Sequence, residues 1–261
     1  MALGTWIAIE ATAESAETAL QALESGFAAV HEVDRLMHPR RQGSDLAAIH
    51  TAAPGTPIAI HRSTCEVLSL AKVIHRLSDG VFDPCVTPLR DGRQRAGSLA
   101  DLEIVEGETG AARAVVCRAA LSLDLGGIAK GYAVDRAVIA LRAAGCCSGL
   151  VNAGGDLRVF GTNAQTLFLR KGSQTHRVEL AEAALAVSDA DTAQRPVEHR
   201  GYYIGSSTDP QLVCRYAAVL APEAAIADAL TKCVLLCPPE TTARALRELR
   251  ARQIAFERVR S

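Results

Sequence analysis

The sequence lacks the features that mark membrane, nucleic-acid-binding and multidomain proteins. It has no apolar run of about 18 residues, which excludes an ordinary membrane-spanning helix. No Pro/Gly/Ser-rich tract or repeated period divides the chain. The formal net charge of -1 gives none of the basic excess that nucleic acid or an anionic membrane usually requires. We therefore expect one domain over residues 1–261, no nucleic-acid partner and no membrane insertion.

The eight cysteines are not spaced like a zinc site or a disulfide framework, and no C-x2-C pair occurs among them. We interpret most of them as buried thiols that contribute to packing. The N-terminus has no basic segment followed by an apolar core, so no signal peptide is expected. Free thiols suit a reducing compartment, and the expected location is cytoplasmic.

Lysine is scarce, since it accounts for only four of the 28 basic residues. Codon composition is the simplest explanation for an arginine-rich chain. Two of the four lysines, Lys130 and Lys232, nevertheless fall in the segments that carry candidate chemistry. A compact ammonium differs in geometry from a guanidinium fork, so these two positions are of interest.

Hydrophobic periodicity predicts an α+β fold in which helices pack on mainly antiparallel sheet. A long helix is expected over residues 15–37, and a capping box at Ser63–Glu66 predicts a second helix that Asp79 and Gly80 end. Further helices are expected over residues 128–144, 222–236 and 241–250. Strands are expected over residues 5–11, 102–105, 114–117, 121–125, 150–160 (as two strands), 167–170, 176–180, 202–204, 215–220 and 254–259.

The most informative junction is the segment DLGGIAKGYAVD over residues 124–135, where a strand is followed by Gly126 and Gly127 and then by a helix. Unpaired N–H groups and the positive end of the helix dipole favour an anion there. Lys130 opposes the dipole in the first turn, which makes sense if a phosphate binds between them. The pattern is neither a Walker A loop nor G-x-G-x-x-G, and a Gly-Gly helix start without a ligand is also common.

Together with LVNAGGD over residues 150–156, this segment resembles the signature of the ApbE family, the FAD:protein FMN transferases. Four more segments match in the same order and extend the resemblance over essentially the whole chain. They are LGTW (3–6), Leu36-Met37 with SDL (44–46), GVFDP (80–84) with Pro88-Leu89, and ADAL (227–230).

The resemblance implies a two-lobed α+β fold, related to the T-fold, with antiparallel sheets and packed helices. It implies that FAD is the substrate, that Mg²⁺ is the cofactor, and that FMN moves to a Thr or Ser hydroxyl of an acceptor flavoprotein with release of AMP. Such phosphoryl transfer requires a pyrophosphate cradle and a cation to neutralise the leaving AMP.

The family pattern also implies which residues contact FAD. These residues are Met37, Val81, Phe82, Asp83, Asp124, Gly126, Gly127, Lys130 and Thr208. Without the resemblance, Met37 and Phe82 are more typical of core residues, and Asp83 and Asp156 of turns.

The chain departs from the family at the expected metal site, which comprises the Gly127 carbonyl, Asp228 and Thr231. Many members have Asp-Ala-Leu-Ala-Thr, whereas Lys232 stands here at the threonine position, and an ammonium has no lone pair for a metal. Three outcomes stay open: Thr231 supplies the oxygen, Lys232 pairs with Asp228 and replaces part of the charge of the cation, or metal binding is lost. We favour the second or a mixture, with Asp228, Lys232 and Lys130 as candidate catalytic residues. Asp228 is the first candidate for general base if Mg²⁺ is not bound to it.

Three further departures affect acceptor choice more than fold. They are YYIGSSTDP over residues 202–210, the loop at residues 90–99, and Ser188-Asp189 in place of Ser-Gly. Two alternative functions also remain open: hydrolysis of FAD to FMN and AMP at the same site, and flavin binding without catalysis.

Overall fold

The computed structural model describes residues 1–86, 97–106, 113–172, 174–190 and 213–254. Its helices are α1 (Ala16–Met37), α2 (Asp45–Thr51), α3 (Arg62–Leu77), α4 (Ala129–Ala143), α5 (Ala224–Leu236) and α6 (Pro239–Glu248). Its strands are β1 (Ile7–Thr12), β2 (Pro57–Ile60), β3 (Leu102–Glu106), β4 (Arg113–Cys117), β5 (Ser148–Ala153), β6 (Asp156–Phe160), β7 (Gln165–Lys171), β8 (Gln174–Leu180), β9 (Ala183–Asp189), β10 (Tyr216–Ala221) and β11 (Arg252–Gln253).

The strands form three sheets, and every pairing among the described strands is antiparallel. The largest sheet has six strands in the order β1-β5-β6-β9-β10-β11. A three-stranded sheet, β2-β4-β3, packs with α2 and α3, and β7 pairs with β8 as a hairpin. This mixture of antiparallel sheets and helices is the α+β class that the sequence predicts.

The inner strands β6, β9 and β10 of the six-stranded sheet are largely buried on both faces. Helices α1, α4 and α5 pack against one face, and the β7–β8 hairpin covers the other. Strand β10 shows the alternation directly, because Ala217 and Val219 face the helices while Tyr216, Ala218 and Leu220 face the hairpin. A strand buried on both faces is uniformly apolar, as β10 is.

Helices α4 and α5 cap each other. The Asp135 carboxylate on α4 accepts the N–H groups of Ala224 and Ala225 at the start of α5, both at 2.9 Å. In return, the Asp228 carboxylate on α5 accepts the Gly131 N–H in the first turn of α4 at 3.2 Å. Each helix thereby satisfies N–H groups that the other would leave unpaired, and each places a negative charge at a positive dipole end.

The close crossing of these helices depends on Gly131. A Cβ at this position would lie 2.2 Å from the Ala224 carbonyl oxygen, inside any tolerable contact distance. Glycine therefore sets the spacing between α4 and α5.

Three local predictions are corrected. Residues 121–125 do not form a strand, and only Leu123 bridges to Cys85. The helix α3 begins earlier than expected, with His61 as the N-cap whose side chain accepts from the Ser63 N–H, so Ser63 is not the cap. Strands β2 and β9 were not predicted.

Other predictions hold or fall outside the described residues. Asp79 and Gly80 follow the end of α3 with positive φ angles of 53° and 79°. Residues in this left-handed region commonly end a helix. The expected strand at residues 202–204, and residues 255–259 of the last expected strand, lie outside the described part of the chain. None of the described helices is long and apolar enough to cross a bilayer.

Candidate active site

The Gly-Gly junction forms a tight turn before α4. The N–H groups of Ile128 and Ala129 both donate to the Leu125 carbonyl, at 2.9 and 2.8 Å, and Asp124 accepts the Gly126 N–H at 2.8 Å. The N-cap residue of α4, Ile128, provides no side-chain cap. Apart from the Ala129 N–H, the first turn of α4 therefore depends on groups from elsewhere in the fold, or on a ligand, for its N–H partners.

The Asp228 carboxylate is the centre of the site. It is fully buried on α5, and its Oδ2 accepts the Gly131 N–H and contacts Lys130 Nζ at 3.4 Å. Its Oδ1 pairs with Lys232 Nζ, which also donates to the Asp228 main-chain carbonyl at 2.9 Å. Both oxygens of this carboxylate are therefore occupied by donors from the chain itself.

A second buried carboxylate completes the cluster. Asp156, the first residue of β6, lies 2.7 Å from Lys130 Nζ. Lys130 thus bridges two carboxylates, and its side chain is 24% exposed, while that of Lys232 is 17% exposed. With two ammonium and two carboxylate groups, the cluster has no formal net charge.

These contacts shift the pKa values of Asp228, Asp156 and Lys130. Burial raises the pKa of a carboxyl, but Lys130 and Lys232 outweigh it and hold the pKa of Asp228 below its usual value. Burial and the neighbouring Asp228 raise the pKa of Asp156. Burial would lower the pKa of Lys130, but the two carboxylates raise it, so this ammonium stays charged.

Two of the predicted metal ligands, Asp228 and Thr231, have partners within the chain. The Thr231 hydroxyl is buried, donates to the Asp228 carbonyl at 2.6 Å and lies 2.7 Å from Ser188 Oγ, so it is directed into the packing against β9. Asp228 is engaged by lysines, and no cluster of three or more His, Cys, Asp or Glu side chains suited to a metal occurs among the described residues. Lys232 pairs with Asp228, which is the contact that the second of the three predicted outcomes requires.

Gly127 lies beside Lys232 and Phe82. A Cβ at Gly127 would be 3.5 Å from Lys232 Cε and 3.8 Å from Phe82 Cε2. The turn that carries Phe82 is therefore adjacent to both the Gly-Gly junction and the lysine of α5.

Asp83 holds that turn in place. Its buried carboxylate accepts the N–H groups of Cys85 and Leu99 at 3.0 and 3.2 Å and the Ser98 hydroxyl at 3.1 Å. His75 Nδ1 lies 3.0 Å from the Phe82 carbonyl, and the Phe82 N–H donates to Ser78 Oγ. Asp83 thus has a structural function in the turn, whereas Val81 is half-buried at its start.

The two remaining candidates for FAD contact are Met37 and Thr208. Met37 is buried in the core at the end of α1, with 3% of its surface exposed. Thr208 lies outside the described residues.

Sequence reasoning gave too little weight to two residues. By residue type alone, Asp156 is typical of a turn. Its position after Gly154 and Gly155 in a matching motif is the signal that indicates a site residue. No sequence pattern indicates the function of His50. Its Nε2 accepts the Leu123 N–H at 2.8 Å, across 73 positions in the chain. This hydrogen bond anchors the segment that leads to Asp124.

Comparison with known proteins identifies the family of the chain. A family model described as "ApbE family" matches residues 3–256. The chain is 28% identical over 160 residues to a FAD:protein FMN transferase of Treponema pallidum, a match that covers 54% of this chain and 44% of that protein. It is 26% identical over 151 residues to a FAD:protein FMN transferase of Klebsiella pneumoniae, covering 52% and 48%. The matched segments thus span less than half of each curated relative.

The fold is also similar to a solved structure. Flavin transferase ApbE from Vibrio cholerae superposes with a TM-score of 0.77 at 19% sequence identity, over 97% of this chain and 90% of that one. The predicted α+β fold with antiparallel sheets and packed helices therefore has a structural counterpart.

Proposed function

The chain belongs to the ApbE family, and on that premise we propose that it transfers FMN from FAD to a hydroxyl group of an acceptor protein. The observation that supports this proposal best is the pair of ammonium groups, Lys130 and Lys232, beside the glycine-rich start of α4. Cations near the positive end of a helix dipole favour a bound pyrophosphate.

In the proposed reaction, the oxygen of a Thr or Ser side chain of the acceptor attacks the phosphorus on the FMN side of the FAD pyrophosphate. A new P–O bond forms, the bond from that phosphorus to the bridging oxygen breaks, and its electron pair leaves with AMP. The hydroxyl proton passes to solvent water. Positioning and charge neutralisation account for most of the catalysis in such transfers.

Asp228 acts in this scheme as a positioning residue. A carboxylate with a lowered pKa and donors on both oxygens is a poor proton acceptor, so the general-base assignment considered from the sequence is not the one we propose. It instead orients Lys130 and Lys232 toward the same space. Asp124, Gly126 and Gly127 shape the turn at which the pyrophosphate is proposed to bind.

Magnesium is the part of the family pattern that the described residues support least. Asp228 and Thr231 have other partners, so the reaction above contains no metal step. The charge that a metal would supply is assigned to the two lysines.

The test is to express the chain together with flavoproteins encoded beside its gene and to examine denaturing gels for flavin fluorescence. A fluorescent acceptor band that disappears when its target Thr or Ser is replaced by Ala supports the proposal. Free FMN and AMP without a labelled acceptor would instead indicate FAD hydrolysis, and intact bound FAD would indicate a flavin-binding protein. Either of these results overturns the proposed transfer.

A further inference from the structure

The position of Lys232 is the feature from which a further inference follows. Its ammonium contacts both the side-chain Oδ1 and the main-chain carbonyl of Asp228, and its side chain is 17% exposed. In the family pattern, this sequence position holds a threonine oxygen. Here a cation of the chain lies where an oxygen ligand is expected.

We propose that the Lys232 ammonium takes the place of the divalent cation, so that this chain acts on the pyrophosphate of FAD without a metal. The inference rests on the proposed function, since it concerns the same phosphoryl transfer. It differs from that function in a way that can be measured separately, because metal binding does not require an acceptor.

The first argument concerns ligands. Mg²⁺ binds oxygen at about 2.1 Å and demands near-octahedral geometry. To reach Asp228 Oδ1 it would have to displace Lys232, which would leave a mostly enclosed ammonium next to a dication. Asp228 Oδ2 is no alternative, because the Gly131 N–H and Lys130 Nζ already contact it.

The second argument concerns Thr231, the remaining oxygen on α5. Adjacent helix positions differ by about 100° in direction, so Thr231 does not share the face of Asp228 and Lys232. Its hydroxyl is buried against Ser188 and bonded to the Asp228 carbonyl. It cannot complete a ligand set without leaving that packing.

The third argument is that Lys232 can also reach a phosphate. Its side chain passes beside Gly127, within 3.5 Å of the position that a Cβ would occupy, at the start of α4. An ammonium has three N–H donors, and contacts to Asp228 use two of them among the described residues. The third is suited to a phosphate oxygen, and the charge stabilises the AMP that leaves.

The bonds that form and break are those of the proposed transfer: the acceptor oxygen bonds to the FMN phosphorus, and the bridging oxygen leaves with AMP. Lys232 balances the negative charge that develops on the bridging oxygen. No further reactant is needed.

The first experiment measures Mn²⁺ binding by electron paramagnetic resonance on the full chain, with and without FAD. Mn²⁺ serves as the probe because it takes the same oxygen ligands as Mg²⁺. We expect no stoichiometric site in the wild type. We expect the Lys232→Thr variant to bind Mn²⁺ about tenfold more tightly than the wild type, or more. The reason is that the substitution removes an ammonium and adds an oxygen ligand. Lys171→Thr, the same change on the exposed β7–β8 hairpin, is the matched control and should gain none.

One Mn²⁺ per wild-type chain would overturn the proposal. A folded Lys232→Thr variant that gains no metal would overturn the claim that the ammonium excludes it. If that variant does not fold, Lys232→Met keeps the apolar stem without the charge. We then expect its affinity for FAD in EDTA to fall by about tenfold or more. Unchanged affinity in this variant contradicts the proposal.

The second experiment repeats the transfer assay in EDTA and in excess Mg²⁺. We expect wild-type transfer rates in EDTA and in excess Mg²⁺ to agree within about twofold. Transfer that occurs only with Mg²⁺ overturns this inference but leaves the proposed function intact. Absence of transfer in both conditions counts against the proposed function, while the Mn²⁺ measurements still decide whether Lys232 excludes a metal.

Discussion

Lys130 Nζ lies 2.7 Å from the Asp156 carboxylate, an ion pair that joins the first turn of α4 to the start of β6. Because the same ammonium also contacts Asp228 on α5, one side chain connects three elements at the site. Lys130 can therefore act as counter-ion to two carboxylates and as a phosphate ligand, and these two functions predict different results on substitution.

Lys130→Met should lower the rate of FMN transfer by roughly 10²–10³-fold, the usual loss when one preorganised donor of a transition state is removed. It should also lower stability, since Asp156 loses its partner. Transfer rates and chemical denaturation measure the two effects. In the double variant Lys130→Met/Asp156→Asn we expect stability to recover while transfer stays slow. Recovery of transfer would mean that Lys130 is only a counter-ion.

Asp135→Asn should destabilise the fold by about 3 kcal/mol, because it leaves the partly buried Arg158 without its charged partner. It also places an amide against the N–H groups of Ala224 and Ala225. Guanidinium denaturation gives the difference. Glu103→Gln, which breaks the exposed pair with Arg118, is the control and should cost less than about 1 kcal/mol. Equal losses would contradict the capping function of Asp135.

Gly131→Ala should destabilise the protein by about 1–3 kcal/mol or more, although alanine normally stabilises a helix relative to glycine. The reason is the 2.2 Å distance between the added Cβ and the Ala224 carbonyl oxygen. Thermal unfolding is the measurement, and the sign of the change is the test. A Gly131→Ala variant as stable as the wild type, or more stable, would show that α4 and α5 can move apart without loss of unfolding free energy.

The free energy of unfolding should fall as the pH is lowered, and protonation of His50 should account for part of this fall. Burial lowers the pKa of this imidazole, and the Leu123 N–H requires an unprotonated Nε2. The unfolded chain therefore binds the proton more readily, so the contribution of His50 is full above the unfolded pKa of about 6.5 and is lost as pH falls below it.

The His50→Gln variant, which retains an acceptor but does not titrate, should show a shallower loss of unfolding free energy between about pH 7.5 and 5.5. Denaturant midpoints at several pH values for both proteins provide the comparison. Parallel curves would exclude His50 as the titrating group.

The local parts of the site could be predicted from the sequence. Gly126, Gly127 and Lys130 lie within one turn-and-helix segment, and Asp228 and Lys232 are four apart on one helix, so spacing alone brings them together. Contacts over long separations could not be predicted. The pairing of Lys130 with Asp156 depends on how β6 packs beside α4, and no periodicity in either segment specifies it.

Two errors in the predicted strands have physical causes. Strand β9 is rich in alanine, which has low strand propensity, and burial on the sheet overrides that preference. The segment LSLDL over residues 121–125 alternates like a strand, but its neighbour contains Pro84, which has no N–H to continue a ladder. A single bridge at Cys85 is all that forms among the described residues.

The reciprocal capping of α4 and α5 also bears on synthesis of the chain. Gly131 obtains its partner from Asp228, 97 positions later, and Asp135 holds N–H groups 89 and 90 positions later. A nascent chain that has not yet extended beyond α5 has the Gly-Gly turn but lacks the carboxylate and the second lysine that complete it. Competence to bind the pyrophosphate should therefore arise only after α5 has left the ribosome.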